Sequence, residues 1–298
     1  MKITTNLIGI ILVSISAIVW STLGLFAKGI EASVWVILFY RGLFSILILG
    51  LYVHKKSEQG ITHEFKNLGW PGWLSAVIGA ASTICFISAF KYTSIANVSI
   101  IYAVTPFIVS ILAWIFLREK INTKGIICAT FALVGVVIMV GGSSGSINLL
   151  GDALALLMAL GMSALVILFR KFPNKPMILS TLISAVFHVL LSLMLSDPFA
   201  VSAVVPSVLF PCAIDLVLLV GFGVVFALAT ILMVEGTRLI PASQSALIST
   251  LEAPLAPLWA WLVFMQLPSS ATWIGGALVL IAVFYNILPQ NKANAFRE

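Results

Sequence analysis

The sequence has very little charge. Only 9% of its 298 residues are Asp, Glu, Lys or Arg, whereas 61% are hydrophobic. A soluble domain needs about 25% charged residues to cover its surface, so a water-soluble fold is excluded. The apolar runs reach the length of about 20 residues at which a helix crosses a bilayer, and they lack the alternation of barrel strands. We therefore predict an all-α integral membrane protein embedded in the lipid bilayer.

Cysteine and histidine are also scarce, with three residues of each. Cys85, Cys128 and Cys212 stand inside apolar runs without disulfide or metal-ligand spacing, so we interpret them as small core residues. We expect no metal and no cofactor. A membrane enzyme would need His, Asp or Glu clustered at one interface, but His54 and His63 lie in a charged loop. We therefore expect no enzymatic activity.

Ten apolar segments follow one another along the chain, joined by short connections. The predicted spans cover residues 7–27, 33–53, 70–90, 94–117, 124–141, 151–169, 177–195, 211–233, 242–264 and 270–288. The longest connection, residues 54–69, is charged and too short for a soluble domain. The sequence therefore predicts ten transmembrane helices.

The basic residues predict how these helices are oriented. The net charge of +6 comes from residues scattered over short loops, which favours a topology signal and not a nucleic-acid partner. With a cytoplasmic N-terminus, thirteen Lys and Arg lie on the cytoplasmic side, only Lys28 and Lys91 lie outside, and Arg41 lies within a span. This asymmetry predicts that both termini are cytoplasmic.

The chain also repeats itself. Residues 98–140 and 245–287 read alike at an offset of 147 positions. Each copy closes a block of five spans, which predicts repeats at 1–141 and 151–298, the second with a short C-terminal tail, around a linker at 142–150. Because five is odd, the second block enters the membrane from the opposite side, so the fold is two inverted five-helix repeats. The charged loop 118–120 accordingly corresponds to the uncharged loop 265–267.

Eight short motifs follow one another along nearly the whole chain. They are Trp20-Ser21, Arg41 after an aromatic residue, Lys91-Tyr92-Thr93-Ser94, Thr105-Pro106, Leu117-Arg118-Glu119, Gly151-Asp152, Pro241-Ala242-Ser243 and Glu252 before a proline. In this order and spacing the chain resembles the EamA-type family of ten-span carriers in the drug/metabolite transporter superfamily. It departs from that family's pattern at Ala253, at Met265-Gln266 and at Met162.

The resemblance implies a secondary transporter of the bacterial inner membrane, facilitative or driven by an ion gradient such as that of protons. It implies export or exchange of a small polar metabolite, often an amino acid or a derivative, by alternating access. Spans one, three, four, six, eight and nine would enclose the cavity. One chain is sufficient for the pathway, and a dimer is compatible with it.

Alternative functions stay open at this stage. Members of the same family carry nucleotide sugars, vitamins or cofactors, so import of a nucleotide-like, vitamin or cofactor metabolite is one alternative. Flipping of a lipid-linked substrate on the same fold is another. The sequence leaves open the substrate, the direction of transport and the coupling ion.

Glu252 is the main candidate for substrate binding or coupling. It lies about ten residues from either end of span nine, where an unpaired carboxylate is costly. Ser245, Ser249 and Trp259 share its helical stripe, and the repeat equivalents of Ser249 and Glu252 are Tyr102 and Thr105. The functional interpretation is binding of a substrate amine or proton coupling. The structural alternative is an ion pair or a hydrogen bond to a broken helix.

Arg41 and His188 are the other polar candidates inside spans. Arg41 could hold a substrate carboxylate, neutralise Glu252 or cap the carbonyls of a kinked helix. We favour a structural role, because a guanidinium in lipid needs a permanent partner. His188 has no carboxylate within one turn, which favours a hydrogen-bonded interior histidine over a proton relay.

Prolines and polar or aromatic residues predict where the cavity lies. Pro106 interrupts span four, and Pro254 and Pro257 interrupt span nine, so matched kinks are expected along the transport path. The other residues expected near the cavity are Trp20, Ser21, Tyr102 and Trp114, with the repeat-equivalent Asn97 and Gln244 at its mouth.

Overall fold

The structure is a computed structural model of the chain. It describes residues 5–23, 25–26, 30, 34–57, 60–93, 98, 101–120, 122–140, 148–195, 213–265, 267 and 269–288. These residues are overwhelmingly helical and contain no strand. The predicted all-α fold is therefore confirmed.

Eleven helices make up this part of the chain. They are α1 Thr5–Ser21, α2 Val34–Lys56, α3 Ile61–Tyr92, α4 Thr105–Leu117, α5 Thr123–Val140, α6 Leu149–Lys171, α7 Met177–Leu195, α8 Ala213–Thr237, α9 Ala242–Ser249, α10 Glu252–Phe264 and α11 Ser270–Ile287. Within the described residues, eight stretches are long and apolar enough to cross a membrane, and the shorter apolar helices Thr5–Ser21 and Ile101–Leu117 complete the set of ten predicted spans.

The predicted connection at residues 54–69 is wrong over much of its length. Helix α3 begins at Ile61, so only a few residues separate it from α2. The helix is interrupted at Gly69, whose φ of 59° and ψ of −175° are not helical, just before Pro71. Hydropathy excluded the polar turns before Gly69 from the span, yet they form a helix of their own that ends at this kink.

Spans four and nine are broken near their middles, at equivalent places. Thr250 N and Leu251 N donate to carbonyls only three residues back, at 3.1 Å and 3.0 Å, and Val104 N donates to Ile101 O at 3.2 Å in the same way. Each break precedes a proline by about one turn, because a proline ring clashes with the carbonyl four residues earlier. These breaks place Pro106 and Pro254 in the first turn of α4 and α10.

Pro257 behaves differently from the other two prolines. It lies inside α10, which continues through it to Phe264. The interruption of span nine is therefore the turn at Thr250 and Leu251 and not a break at Pro257.

The helices pack in pairs that mirror one another. Helix α2 packs on α7, and α5 packs on α11, while α1 lies against α8 as α3 lies against α6. Likewise α2 packs on α8 as α7 packs on α3. This is the pairing that a two-fold axis between inverted repeats requires. The inverted repeat itself stays a prediction.

Two glycines set the closest helix approach. A Cβ on Gly135 of α5 would lie 2.6 Å from the Gly275 carbonyl oxygen of α11, and a Cβ on Gly275 would collide with the Gly135 carbonyl oxygen. Small residues allow this backbone contact, as in other membrane helix pairs. Helices α5 and α11 thus pack backbone to backbone at this point.

Candidate functional site

The site is centred on the carboxylate of Glu252. It is the first residue of α10, directly after the break in span nine, and it is half-buried. The phenol of Tyr102, just before the break in span four, lies within hydrogen-bonding reach of this carboxylate. The two interrupted spans thus bring one polar residue each to the same place. Both residues are candidates from the sequence, but the sequence does not show that their side chains meet.

Two helices start beside this pair, where Pro106 and Pro254 have no N–H and Phe107 N and Ala253 N already donate to Val104 O and Thr250 O. The first turns of α4 and α10 have no side-chain cap, at Val104 and Leu251 respectively. The first N–H groups of a helix lack intrahelical acceptors and carry partial positive charge. Two helix N-termini therefore begin at the level of Glu252, where they favour negative groups. Thr105, first in α4, is buried and donates its hydroxyl to Tyr102 O.

The serines before Glu252 face helix α8. The Ser245 and Thr237 hydroxyls lie 2.8 Å apart, and Ser245 is fully buried. Ser249 Oγ donates to Ser245 O at 3.0 Å and lies 3.7 Å from Met233 Sδ. Because the turn at residues 250–251 separates Ser249 from Glu252, the predicted stripe is not one straight line.

Aromatic side chains line the far side of the pair. Trp259, two turns after Glu252 on α10, donates its indole N–H to Ser21 Oγ at 2.8 Å. Trp20 packs edge-to-face on Phe226 of α8, with ring centroids 5.2 Å apart. The structure therefore brings Trp20, Ser21 and Trp259 together where α1 meets α10.

Arg41 is buried beside His188 and not beside Glu252. Arg41 Nη2 lies 3.4 Å from His188 Nδ1, and the guanidinium stands 4.2 Å from the ring centroid of Phe226. His188 Nε2 is 3.2 Å from Ala80 O, so it carries the proton and leaves Nδ1 to accept from Arg41. Among the described ion pairs none links Arg41 to Glu252.

Arg41 and His188 lie on α2 and α7, the second helix of each predicted repeat. Their contact therefore lies where the predicted two-fold axis would pass. The favoured structural role for Arg41 and the hydrogen-bonded role for His188 agree with this geometry.

The remaining candidates are more dispersed. Gln244 is half-buried on α9, whereas Asn97 lies outside the described residues. Trp114 is 57% exposed on the same face of α4 as Ile111 and Ile115. That apolar stripe faces outward to lipid, so the prediction of Trp114 near the cavity is wrong. Periodicity alone could not tell which face of α4 turns inward.

Sequence reasoning missed a set of polar contacts at one end of the bundle. Glu119 Oε1 accepts from Arg170 Nε at 3.2 Å, and Glu235 Oε1 accepts from Lys56 Nζ at 2.6 Å. The only sequence signal was opposite charge in loops on one predicted side of the membrane. Which charges pair depends on helix packing that the sequence does not state.

Two grooves lie along α10. A shallow groove of about 150 Å³ runs along α10 and is lined by apolar side chains from Leu255 to Leu262. A second groove between α10 and α11 is smaller, and its lining includes Pro254 and Pro257. Within the described residues no cluster of His, Cys, Asp and Glu could hold a metal ion.

Comparison with known proteins identifies the class. The model of the EamA-like transporter family matches residues 7–141. The chain is 25% identical over 224 residues to solute carrier family 35 member G1 of Mus musculus, covering 70% of this chain and 59% of that protein. It is 23% identical over 283 residues to the pseudopaline exporter of Pseudomonas aeruginosa, covering 92% of this chain and 94% of that protein.

A solved crystal structure has the same fold. It superposes with a TM-score of 0.78 at 18% identity, covering 96% of this chain and 98% of that one. At this identity the likeness shows the fold alone. The chain spans about half the length of the first curated relatives it matches.

The fold and the site thus define a multi-pass helical membrane protein with interrupted spans. The matches confirm the resemblance predicted from the sequence: residues 7–141 match the EamA-like transporter family, and the chain is similar to known transporters over most of its length.

Proposed function

We propose that this protein is a secondary carrier that moves a small polar metabolite out of the cell by alternating access, and that it is not an enzyme. The observation that carries the proposal is the meeting of Glu252 and Tyr102 at the two broken spans. Interrupted helices near the bilayer midplane are where carriers of this architecture bind substrate. The family resemblance and the similarity to an exporter support the same function.

The geometry favours a substrate that contains an amine. A carboxylate at membrane depth needs a proton or a cationic partner, and the described residues provide Glu252 with a phenol and no ion pair. A substrate ammonium group would supply the missing charge. An amino acid or a derivative, the substrate class that the family resemblance implies, carries such a group. Without substrate, a proton on Glu252 would serve instead, which allows exchange with protons.

The carrier's membrane is proposed to be the bacterial inner membrane, with both termini in the cytoplasm. The distribution of lysine and arginine supports this orientation. The pathway lies within one chain, because both broken spans belong to it.

Metabolite profiling tests the function and the direction together. Cells that overexpress the protein and cells that lack it are grown side by side, and medium and cell extracts are compared. We expect at least one small amine-containing metabolite to accumulate in the medium and to fall in the cells. Accumulation inside the cells would reverse the direction, and no difference for any small metabolite would refute the proposal.

The role of Glu252 is tested with the metabolite found in this way. In proteoliposomes we expect Glu252→Gln to reduce its transport by at least about a hundredfold, because the amide cannot offset an ammonium charge. Glu64→Gln is the matched control, since Glu64 carries the same substitution on α3 away from the site. Transport by Glu252→Gln at the rate of Glu64→Gln would remove Glu252 from the mechanism while leaving the carrier function in place.

A further inference from the structure

A polar cluster joins the two halves of the chain at one end of the bundle. From the first half it contains Glu119, Lys56, Tyr52 and Asn67, and from the second half it contains Arg170, Lys175, Glu235 and Arg238. The positive-inside pattern predicts that this is the cytoplasmic end. We call this set the end clamp. It must come apart whenever the halves separate at that end.

Glu119 joins two elements of the second half within the end clamp. Its Oε1 accepts from Arg170 Nε at 3.2 Å, and its Oε2 accepts from the backbone N–H of Ala242 at 3.3 Å. Ala242 is the first residue of α9. A first-half carboxylate thus caps a second-half helix whose positive end favours it. Arg170 in turn donates to Arg238 O at 2.7 Å, at the end of α8.

Two further sets of hydrogen bonds join the two halves at the same end of the bundle. Glu235 accepts from Lys56 at 2.6 Å and from Tyr52 at 3.3 Å, and Lys175 donates to Asn67 O at 2.8 Å. The carboxylates of Glu119 and Glu235 are only 25% and 23% exposed, so water screens these pairs less than it screens fully exposed ones.

At the opposite end Asp152 Oδ1 accepts from Thr93 Oγ1 at 2.7 Å, which also joins the two halves, but the clamp carboxylates have no counterparts at their equivalent positions. At the offset of 147 positions, Glu119 corresponds to Gln266 and Glu235 corresponds to Ser88. The acidic partners of the clamp therefore belong to one end of the repeat only.

Helix α9 links the clamp to the candidate site. It runs for eight residues from the capped Ala242 to Ser249, and the turn at Thr250 and Leu251 then leads into Glu252. The turn has three-residue hydrogen bonds in place of helical ones, so it can absorb a change of direction between α9 and α10. If Glu119 no longer accepted from Ala242 N, the N-terminus of this short helix would be free to move.

We propose that Glu119 is the latch of a gate at this end: its contacts with Arg170 and with the N-terminus of α9 hold the path closed, and their release lets α9 turn at residues 250–251 and opens access to Glu252. The inference rests on the proposed carrier function, because a gate has a role only in a protein that moves a substrate. Its test needs no substrate, so it succeeds or fails independently of transport.

Access to the site is measured with a cysteine at Ser249, one turn before Glu252, in a chain whose native cysteines are replaced by alanine. Sealed vesicles of both orientations are treated with a charged, membrane-impermeant maleimide. A second reporter, Lys120→Cys, shows which vesicle side carries the clamp, since Lys120 is exposed beside Glu119. The labelling rate at residue 249 from the clamp side reports how far the gate is open.

We expect Glu119→Gln to raise this rate about tenfold, because an amide can still accept from Ala242 but no longer pairs with the guanidinium. It should lower labelling from the opposite side. Glu64→Gln, the matched change on α3, should leave both rates as in the parent. Equal rates for Glu119→Gln and Glu64→Gln would overturn the latch. If Glu119→Gln elutes as an aggregate in size-exclusion chromatography, Arg170→Gln takes its place, because it removes the other partner of the same ion pair. Its labelling rates at residue 249 are then compared with those of Glu64→Gln, and equal rates would overturn the latch.

Discussion

At the scale of single residues, burial and charge separate two kinds of polar group inside the bundle. Arg41 and His188 satisfy each other, and the Phe226 ring covers the guanidinium. Glu252 has a phenol for a neighbour and no cation among the described ion pairs. A group that is already satisfied stabilises the fold, whereas a group that still lacks a counter-charge is available to a substrate. This contrast is why we assign function to Glu252.

The structural role of His188 predicts a loss of stability on its removal. His188→Leu leaves a buried N–H of Arg41 without its acceptor, which costs about 1–3 kcal/mol. We expect a correspondingly lower free energy of unfolding in detergent, measured by denaturant titration. His63→Leu, at an exposed position on α3, is the control and should change stability little. If both variants unfold alike, Arg41 does not depend on His188.

At the scale of elements, the broken spans and the glycine contacts have different physical causes. The breaks arise because Pro106 and Pro254 cannot sit inside a continuous helix. The prolines are not at strictly equivalent positions, since Pro106 corresponds to Ala253, yet the turns that precede them are equivalent. The α5–α11 contact instead arises from the absence of a side chain at Gly135 and Gly275.

Glycine substitutions distinguish close backbone packing from ordinary packing. Gly275→Ala places a methyl group against the Gly135 carbonyl, which is backbone and cannot turn aside, so we expect a loss of about 1–3 kcal/mol. Gly50→Ala is the matched control on α2, where the nearest atom is 3.7 Å from the added Cβ. It should be neutral or stabilising by up to about 1 kcal/mol. Comparable thermal unfolding of the two variants would argue against the close α5–α11 contact.

At the scale of the whole molecule, the mirrored helix pairs and the contact between Arg41 and His188 both support an inverted repeat. A two-fold axis places equivalent residues beside one another only where it passes between them. Helices α2 and α7, the second of each predicted repeat, meet this condition: Arg41 contacts His188, and an added Cβ on Gly42 would lie 2.8 Å from Val189 Cγ2. Helices α2 and α7 thus pack where that axis would run.

The inversion makes a direct prediction about the two sides of the membrane. Lys120 and Leu267 are exposed and equivalent in the repeat, so inverted halves must place them on opposite faces. In a chain without other cysteines, we expect Lys120→Cys to react with an impermeant maleimide only from the cytoplasm. Leu267→Cys should react only from outside. Labelling of both from the same side would refute the inverted repeat.

The sequence by itself determined the class of protein, the number of spans and the residues worth testing. Low charge and long apolar runs leave a helical membrane fold as the only way to satisfy the backbone in lipid. Prolines in spans four and nine marked the interruptions because their effect is local to the backbone. Glu252 was identifiable because a carboxylate within a span is costly wherever it points.

Only the tertiary structure decided which residues meet. The pairing of Glu252 with Tyr102, of Arg41 with His188 and of Glu119 with Arg170 each joins parts of the chain far apart in sequence. In nearly uniform apolar helices, periodicity does not show which face turns inward, which is why Trp114 was misplaced and the end clamp was missed. Faces and partners are set by packing between helices, and packing is a property of the assembled bundle.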